Sequence, residues 1–147
     1  MEYNQAEFLY ETEVPYERLI VSRTDLNGII TYANDTFLEI SGYKKEELIG
    51  QAHNIVRHPD MPSSIFKDLW ETIRQDKRWV GKVKNIRKDG GFYWVHASIS
   101  GVYKNGVLVE YKSIRVPVIF DDRVQTQKIY DLLKHKNNEP TRHIVYK

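Results

Sequence analysis

Apolar positions along the chain change spacing several times, and each spacing predicts an element. Leu19-Ile20-Val21 and Ile29-Ile30-Thr31-Tyr32 are short strand-like runs on either side of Asp25-Leu26-Asn27-Gly28, whose Asn-Gly pair marks a hairpin turn. Asn34 and Asp35 then offer N-cap chemistry to a short helix from Thr36 to Ile40. Ser41-Gly42-Tyr43 ends it, and Lys44 to Leu48 gives a further turn stopped by Gly50. Ile65, Phe66, Leu69, Trp70 and Ile73 recur at helical spacing, which predicts a helix from about Met61 to Gln75, opened by Pro62. Trp79–Ile86, Phe92–Val102 and Val107–Val118 follow as strands, joined by the turn sequences Lys88-Asp89-Gly90-Gly91 and Lys104-Asn105-Gly106. A terminal helix over residues 120–136 carries Val124, Ile129, Leu132 and Leu133 as its apolar positions. The fold class is α+β: a five-stranded antiparallel sheet with small helices, plus a C-terminal helix. Residues 1–18 read as an N-terminal cap or flexible lead, 19–118 as the globular domain, 119–136 as the helix and 137–147 as a polar tail.

Two strands break their own pattern. In the third, alternation puts Trp79, Gly81, Val83 and Asn85 on one face and Val80, Lys82, Lys84 and Ile86 on the other. The lysines mark the wet face, so Asn85 points inward. An inward amide either bonds neighbouring backbone or addresses the carbonyl and N–H edge of a ring ligand. Gly81 on the same face allows a flat group to approach the strand. In the fourth strand Tyr93, Val95, Ala97 and Ile99 face the core, which leaves Phe92 and Trp94 outside. That aromatic pair needs a cover: the N-terminal lead, the terminal helix or another protein.

Composition narrows the function. Basic and acidic residues number 22 and 20, a net +2, which argues against a grip on nucleic acid through phosphate neutralisation. The absence of cysteine excludes disulfides, thiolate metal sites, cysteine nucleophiles and cysteinyl adducts. No apolar run approaches the ~20 residues that span a bilayer, and the first residues carry no signal peptide, so a cytoplasmic, non-membrane-spanning protein is expected. Aromatics make up 12%, with tryptophans at 70, 79 and 94, which suits flat ligands or large interfaces.

The densest chemistry is Gln51-Ala52-His53-Asn54-Ile55-Val56-Arg57-His58-Pro59-Asp60-Met61-Pro62, a proline-closed loop ahead of a helix. Taken singly, Asp60 can cap that helix, His53 and Arg57 can be ordinary solvated loop residues, and Asn34 an N-cap. Together, Arg57 and His58 beside an Asn-bearing cavity form an electropositive rim suited to phosphate or an anionic ring. His53 or His58 can instead ligate a haem iron. No zinc spacing, phosphate-cradling glycine loop or Ser/His/Asp arrangement is present, and no catalytic constellation is legible.

Ile30-Thr31-Tyr32-Ala33-Asn34-Asp35-Thr36-Phe37, Ser41-Gly42-Tyr43 and Asn85-Ile86-Arg87-Lys88-Asp89-Gly90 resemble the PAS domain, a five-stranded antiparallel sheet with small helices around a ligand cavity. The loop from His53 to Pro62, with Trp70, Trp79-Val80-Gly81, Val83-Lys84-Asn85, Tyr93-Trp94-Val95 and Ser113-Ile114-Arg115, resembles the FAD-binding PAS domains of bacterial aerotaxis receptors over residues 19–118. The resemblance implies non-covalent FAD. Asn85 would address the flavin ring with Trp70 beside it, and Asn34, His53, Arg57, His58 and Asp60 would shape or close the pocket. Trp79 would stack on the adenine end. Light-oxygen-voltage photoreceptors of the same family need an adduct-forming cysteine, and Ile114 falls about where they carry a glutamine, so redox sensing is favoured over light sensing.

The implied function is a cytoplasmic redox or oxygen sensor for aerotaxis-type signalling, not an enzyme. Arg57 or a protonated histidine near the ring would raise its potential. A chain standing alone would pass its state to a separate chemotaxis-type transmembrane receptor or signalling protein, docking through the Phe92/Trp94 face or the terminal helix, with a homodimer as a further option. A haem-based oxygen sensor and a ligand-free PAS interaction module are the rival readings.

Overall fold

In a computed structural model, which describes residues 10–140, the expected elements form in the expected order. Strands β1 (Ile20–Thr24) and β2 (Ile30–Ala33) are followed by helices α1 (Asp35–Ser41) and α2 (Lys45–Leu48). A 3-10 turn, His53–Val56, leads to α3 (Ser63–Ile73). Strands β3 (Trp79–Ile86), β4 (Phe92–Lys104) and β5 (Val107–Pro117) then precede α4 (Phe120–Lys136). The outer parts of the N-terminal lead and the C-terminal tail, residues 1–9 and 141–147, lie outside the described residues.

All five strands belong to one antiparallel sheet in the order β2-β1-β5-β4-β3. The β4–β5 hairpin turns on Asn105 and Gly106, both at positive φ (50° and 78°), the type I′ geometry that matches strand twist. Phe37, Ile20, Ile30, Leu48 and Val56 are buried between the inner sheet face and the small helices. The opposite, outer face is covered by the lead and α4.

That covering decides the question left by Phe92 and Trp94. They are 0% and 1% exposed, so neither is a docking surface. The lead pairs with the start of β4: Thr12 N–H donates to Phe92 O, and Phe92 N–H donates to Tyr10 O, both at 2.8 Å. Tyr130 of α4 packs on Trp94 with ring centroids 6.1 Å apart, and its hydroxyl donates to Lys82 O. Arg123 ties helix to lead through Glu11 at 2.8 Å and Glu13 at 3.0 Å.

One expectation needs correction here, and the helix above it has a related feature. Lys84 is not on a wet face: it is 1% exposed beneath α4. The helix turns inward Arg123, Thr126, Gln127, Tyr130 and Lys134, with Leu133 packed beside them, and leaves Ile129 and Leu132 at 54% and 70% exposure. One cause serves both. The sheet face under α4 presents an ammonium group and indole surface, and a buried charge is retained only when partnered, so the helix must offer polar groups there.

Candidate functional site

Between the inner sheet face and the small helices lies a cavity of about 270 Å³, open on one side and lined mostly by apolar surface. Its chemistry comes from His53, Arg57, Trp70, Asn85, Ser113 and Arg115. The cavity exists because Val83, Ala97 and Ile99 present modest side chains from β3 and β4 where larger ones would fill it.

Asn85 reaches this wall by strand alternation, with Tyr93 directly across the ladder. Its backbone also forms an isolated antiparallel bridge with Arg57, which fixes the loop to the strand at the cavity's edge. The Arg57 guanidinium lies 3.9 Å over the Phe66 ring and is mostly in water. Trp70 projects from α3, edge-on to Tyr111 at 6.2 Å, and its indole passes over Gly28. A Cβ at Gly28 would sit 3.2 Å from that ring, on a backbone whose φ is +81°.

His53 stacks on Phe37 at 5.8 Å, and its Nε2 is 2.9 Å from Ser22 Oγ. Burial, and secondarily the Arg115 charge, lower its pKa to about 3, so at neutral pH it is uncharged. The buried positive charge at this wall is therefore that of Arg115, not of a protonated histidine. That guanidinium is 2% exposed, packs 4.2 Å over Phe37 and donates from Nη2 to Ser22 Oγ at 2.7 Å. Burial lowers its pKa to about 10, still far above neutrality.

Four residues expected at the cavity are elsewhere. Asn34 caps α1: its Oδ1 accepts from Phe37 N at 3.0 Å and Val21 N at 3.1 Å, and its Nδ2 donates to Leu19 O at 2.8 Å. All its polar atoms are spent on backbone, as its N-cap reading foresaw. Trp79 is core. Its Nε1 donates to Asp68 at 2.9 Å, and its own indole is the flat group that Gly81 admits, since a Cβ there would lie 2.5 Å from the ring. His58 and Asp60 pass round the end of the sheet to its outer side. His58 Nδ1 accepts from Asp60 N at 3.0 Å, and its ring meets Phe92 edge-on at 6.1 Å. Burial, then the Lys84 charge, lower the His58 pKa to about 3.

Asp60 does not cap α3. Its Oδ2 accepts from Lys84 at 2.6 Å and from Gln127 Nε2 at 3.2 Å, and its Oδ1 accepts from Lys134. Burial pushes its carboxyl up, but the two ammonium groups outweigh burial and hold it below its ordinary range.

The residues that sequence reasoning passed over are Arg115, Ser113 and Ser22. Ile114 falls about where the glutamine would stand, yet it does not line the cavity; from β5, Tyr111, Lys112, Ser113 and Arg115 do. Alternation along β5 was the available signal: it places a charged residue in line with inward neighbours.

Among the described residues no group of acidic, histidine or cysteine side chains is arranged to hold a metal ion, and no helix is long and apolar enough to cross a membrane. A model of the PAS fold matches residues 30–115. The chain is 42% identical over 122 residues to the aerotaxis receptor of Escherichia coli K12, covering 83% of this chain and 24% of the receptor. It is 32% identical over 108 residues to the nitrogen fixation regulatory protein of Klebsiella pneumoniae, covering 73% of this chain and 22% of that protein. It thus spans about a quarter of the length of these relatives. A light-oxygen-voltage domain solved in a study of a flavin analogue superposes with a TM-score of 0.66 at 20% identity, over 82% of this chain and 87% of that one. Motif, sheet order, cavity and these matches agree that the chain is a PAS sensor module of the kind found in signalling proteins, and it belongs to the PAS-fold family.

Proposed function

We propose that this chain is a flavin-based redox sensor, holding FAD non-covalently in the cavity and passing its redox state to a signalling partner. The observation that carries the reading is the cavity itself: a mostly apolar slot with an inward amide, Asn85, and a buried guanidinium, Arg115, in its walls. At about 270 Å³ it suits the planar ring system alone, so the remainder of a dinucleotide would leave through the open side past Arg57 and Trp70. The donor set fits. Asn85 offers both a donor and an acceptor to an imide edge, and Trp70 supplies a flat wall. When bound, FAD supplies the electron chemistry, and the chain supplies orientation and electrostatics.

His53, Arg57, Trp70 and Asn85 are the residues we assign to the cofactor. Asn34, His58, Asp60 and Trp79 do not line the cavity, and we assign them no contact with the cofactor. The likeness to an aerotaxis receptor supports a place in cytoplasmic signal transduction rather than catalysis, with a chemotaxis-type transmembrane receptor or signalling protein as partner. A haem reading loses its footing on geometry: His58 is on the far side of the sheet and His53 Nε2 is engaged with Ser22.

Gently purified protein should show the two visible bands of bound flavin, and acid-released cofactor should co-elute with FAD on chromatography. Asn85→Ala should lose most of that colour while keeping its far-ultraviolet circular dichroism. Colourless wild-type protein that takes up no added FAD would defeat the reading.

A further inference from the structure

Arg115 stands out in the cavity wall because its charge has no counter-ion among the described residues. Among the described residues no carboxylate pairs with it, and only Nη2 has a hydrogen-bond acceptor, Ser22 Oγ. Its Nε and Nη1 are buried without partners. A guanidinium does not shed its proton to escape such a site, and unmade bonds from buried charged donors are costly, so the arrangement is stable only if something in the cavity accepts them. The other cations that reach the cavity are poorer candidates. Arg57 is exposed on Phe66, Lys112 is half-exposed, and His53 is neutral.

We propose that Arg115 is the charge-reading residue of the cavity, its Nε and Nη1 donating to the acceptor edge of the bound ring and holding the negative charge that reduction adds there. The inference rests on the flavin reading above. Two electrons from an external reductant, here dithionite, with one proton from water leave the ring system with one net negative charge more than before. A buried cation stabilises that form over the oxidised one and so raises the midpoint potential. Phe37 and Ser22 hold the guanidinium in place.

The test compares wild type with Arg115→Gln, Arg115→Met, Arg115→Lys and Arg57→Ala, each loaded with FAD. Midpoint potentials come from anaerobic titration against a reference dye, and oxidised-FAD affinity from fluorescence quenching. Removing the charge should cut the reduced-to-oxidised affinity ratio at least tenfold, a fall of about 30 mV for a two-electron couple. Arg115→Lys should keep more than half of the effect, and Arg57→Ala should move the potential less than Arg115→Gln does. Unchanged potentials in FAD-loaded Gln and Met variants would overturn the role of Arg115 and leave the cofactor reading standing. Failure of wild type to take up FAD would overturn both. In the ligand-free state Arg115→Met should unfold in no less urea than wild type, because the unpaired guanidinium is then a liability. A Met variant that cannot fold would show the guanidinium to be structural and refute the proposal.

Discussion

Replacing Asp60 by asparagine removes the negative charge that faces two buried ammonium groups while keeping the side chain's shape. Breaking a buried ion pair from one side costs roughly 3–5 kcal/mol, most of it from the charge left behind. Two features of this cluster pull the figure to the lower end. Lys84 has an escape: burial lowers its pKa and Asp60 opposes that shift, leaving it at about 8, only one unit above neutrality. Giving up its proton at pH 7 therefore costs about 1.4 kcal/mol, which caps its share of the loss. Lys134 keeps a second carboxylate, Asp131, at 3.7 Å. What remains is the charge-assisted hydrogen bond from Lys134, a term of roughly 1.5–3 kcal/mol. The expected total is about 3 kcal/mol, a large part of the roughly 5–15 kcal/mol typical of a domain. The signature is its pH dependence. At pH 9 the wild-type Lys84 has already lost its proton, so the penalty should shrink by about 1 kcal/mol relative to pH 7. Urea unfolding of both proteins at the two pH values measures this directly. A penalty under about 1 kcal/mol at pH 7, or the same penalty at both, would refute the reasoning.

Acid should weaken the fold before carboxylates titrate. The unfolded chain protonates His58 below its ordinary 6.5, whereas burial holds it neutral in the fold down to about 3, so its contribution is complete above pH 6.5 and is lost on acidification, by about 2 kcal/mol between pH 7 and pH 5. His58→Asn, which can still accept from Asp60 N, should remove that share of the slope in urea titrations and leave the similar share of His53, likewise lowered to about 3. Gly81→Ala drives a methyl group into the Trp79 indole and should cost about 1–3 kcal/mol with a shift in tryptophan fluorescence; a neutral variant would place the ring elsewhere. Asn34→Ala removes the α1 cap and its tie to β1 and should cost about 1–2 kcal/mol in melting experiments without altering cofactor absorbance.

The sheet was legible because its signals are local. Asn105-Gly106 imposes a hairpin whatever surrounds it, and β3 has the bounds its alternation predicts. The inward faces of β3 and β4 were legible for the same reason, and with them Asn85. Failures cluster where burial is decided by elements far apart in sequence. Lys84 looked solvated because nothing near it announces Asp60, 24 residues earlier, or Gln127, 43 residues later. On α4 the burial is likewise settled by distant groups: Leu133 packs on the core while Ile129 and Leu132 stay exposed, and Gln127, Tyr130 and Lys134 find partners on the sheet and in the Asp60 loop. Arg115 was hidden by a rule of thumb that is usually right, since arginine is seldom fully buried without a partner.

The cavity and the outer cluster are less independent than their opposite faces suggest. Lys84 and Asn85 are consecutive on β3, so alternation sends one to α4 and the other to the cavity. The loop repeats the division three residues apart: Arg57 bridges to the backbone of Asn85, while Asp60 binds Lys84 and Lys134. The end of β3 is thus clamped between one loop and one helix by groups that tolerate little movement, because a hydrogen bond weakens steeply once its distance or angle departs from the ideal. A rotation of the strand that re-aims Asn85 must also disturb Lys84 on the other side. The cavity wall and α4 are therefore linked through a single peptide unit and a carboxylate shared by two lysines, with Gln127 and Lys134 completing the link on the helix side.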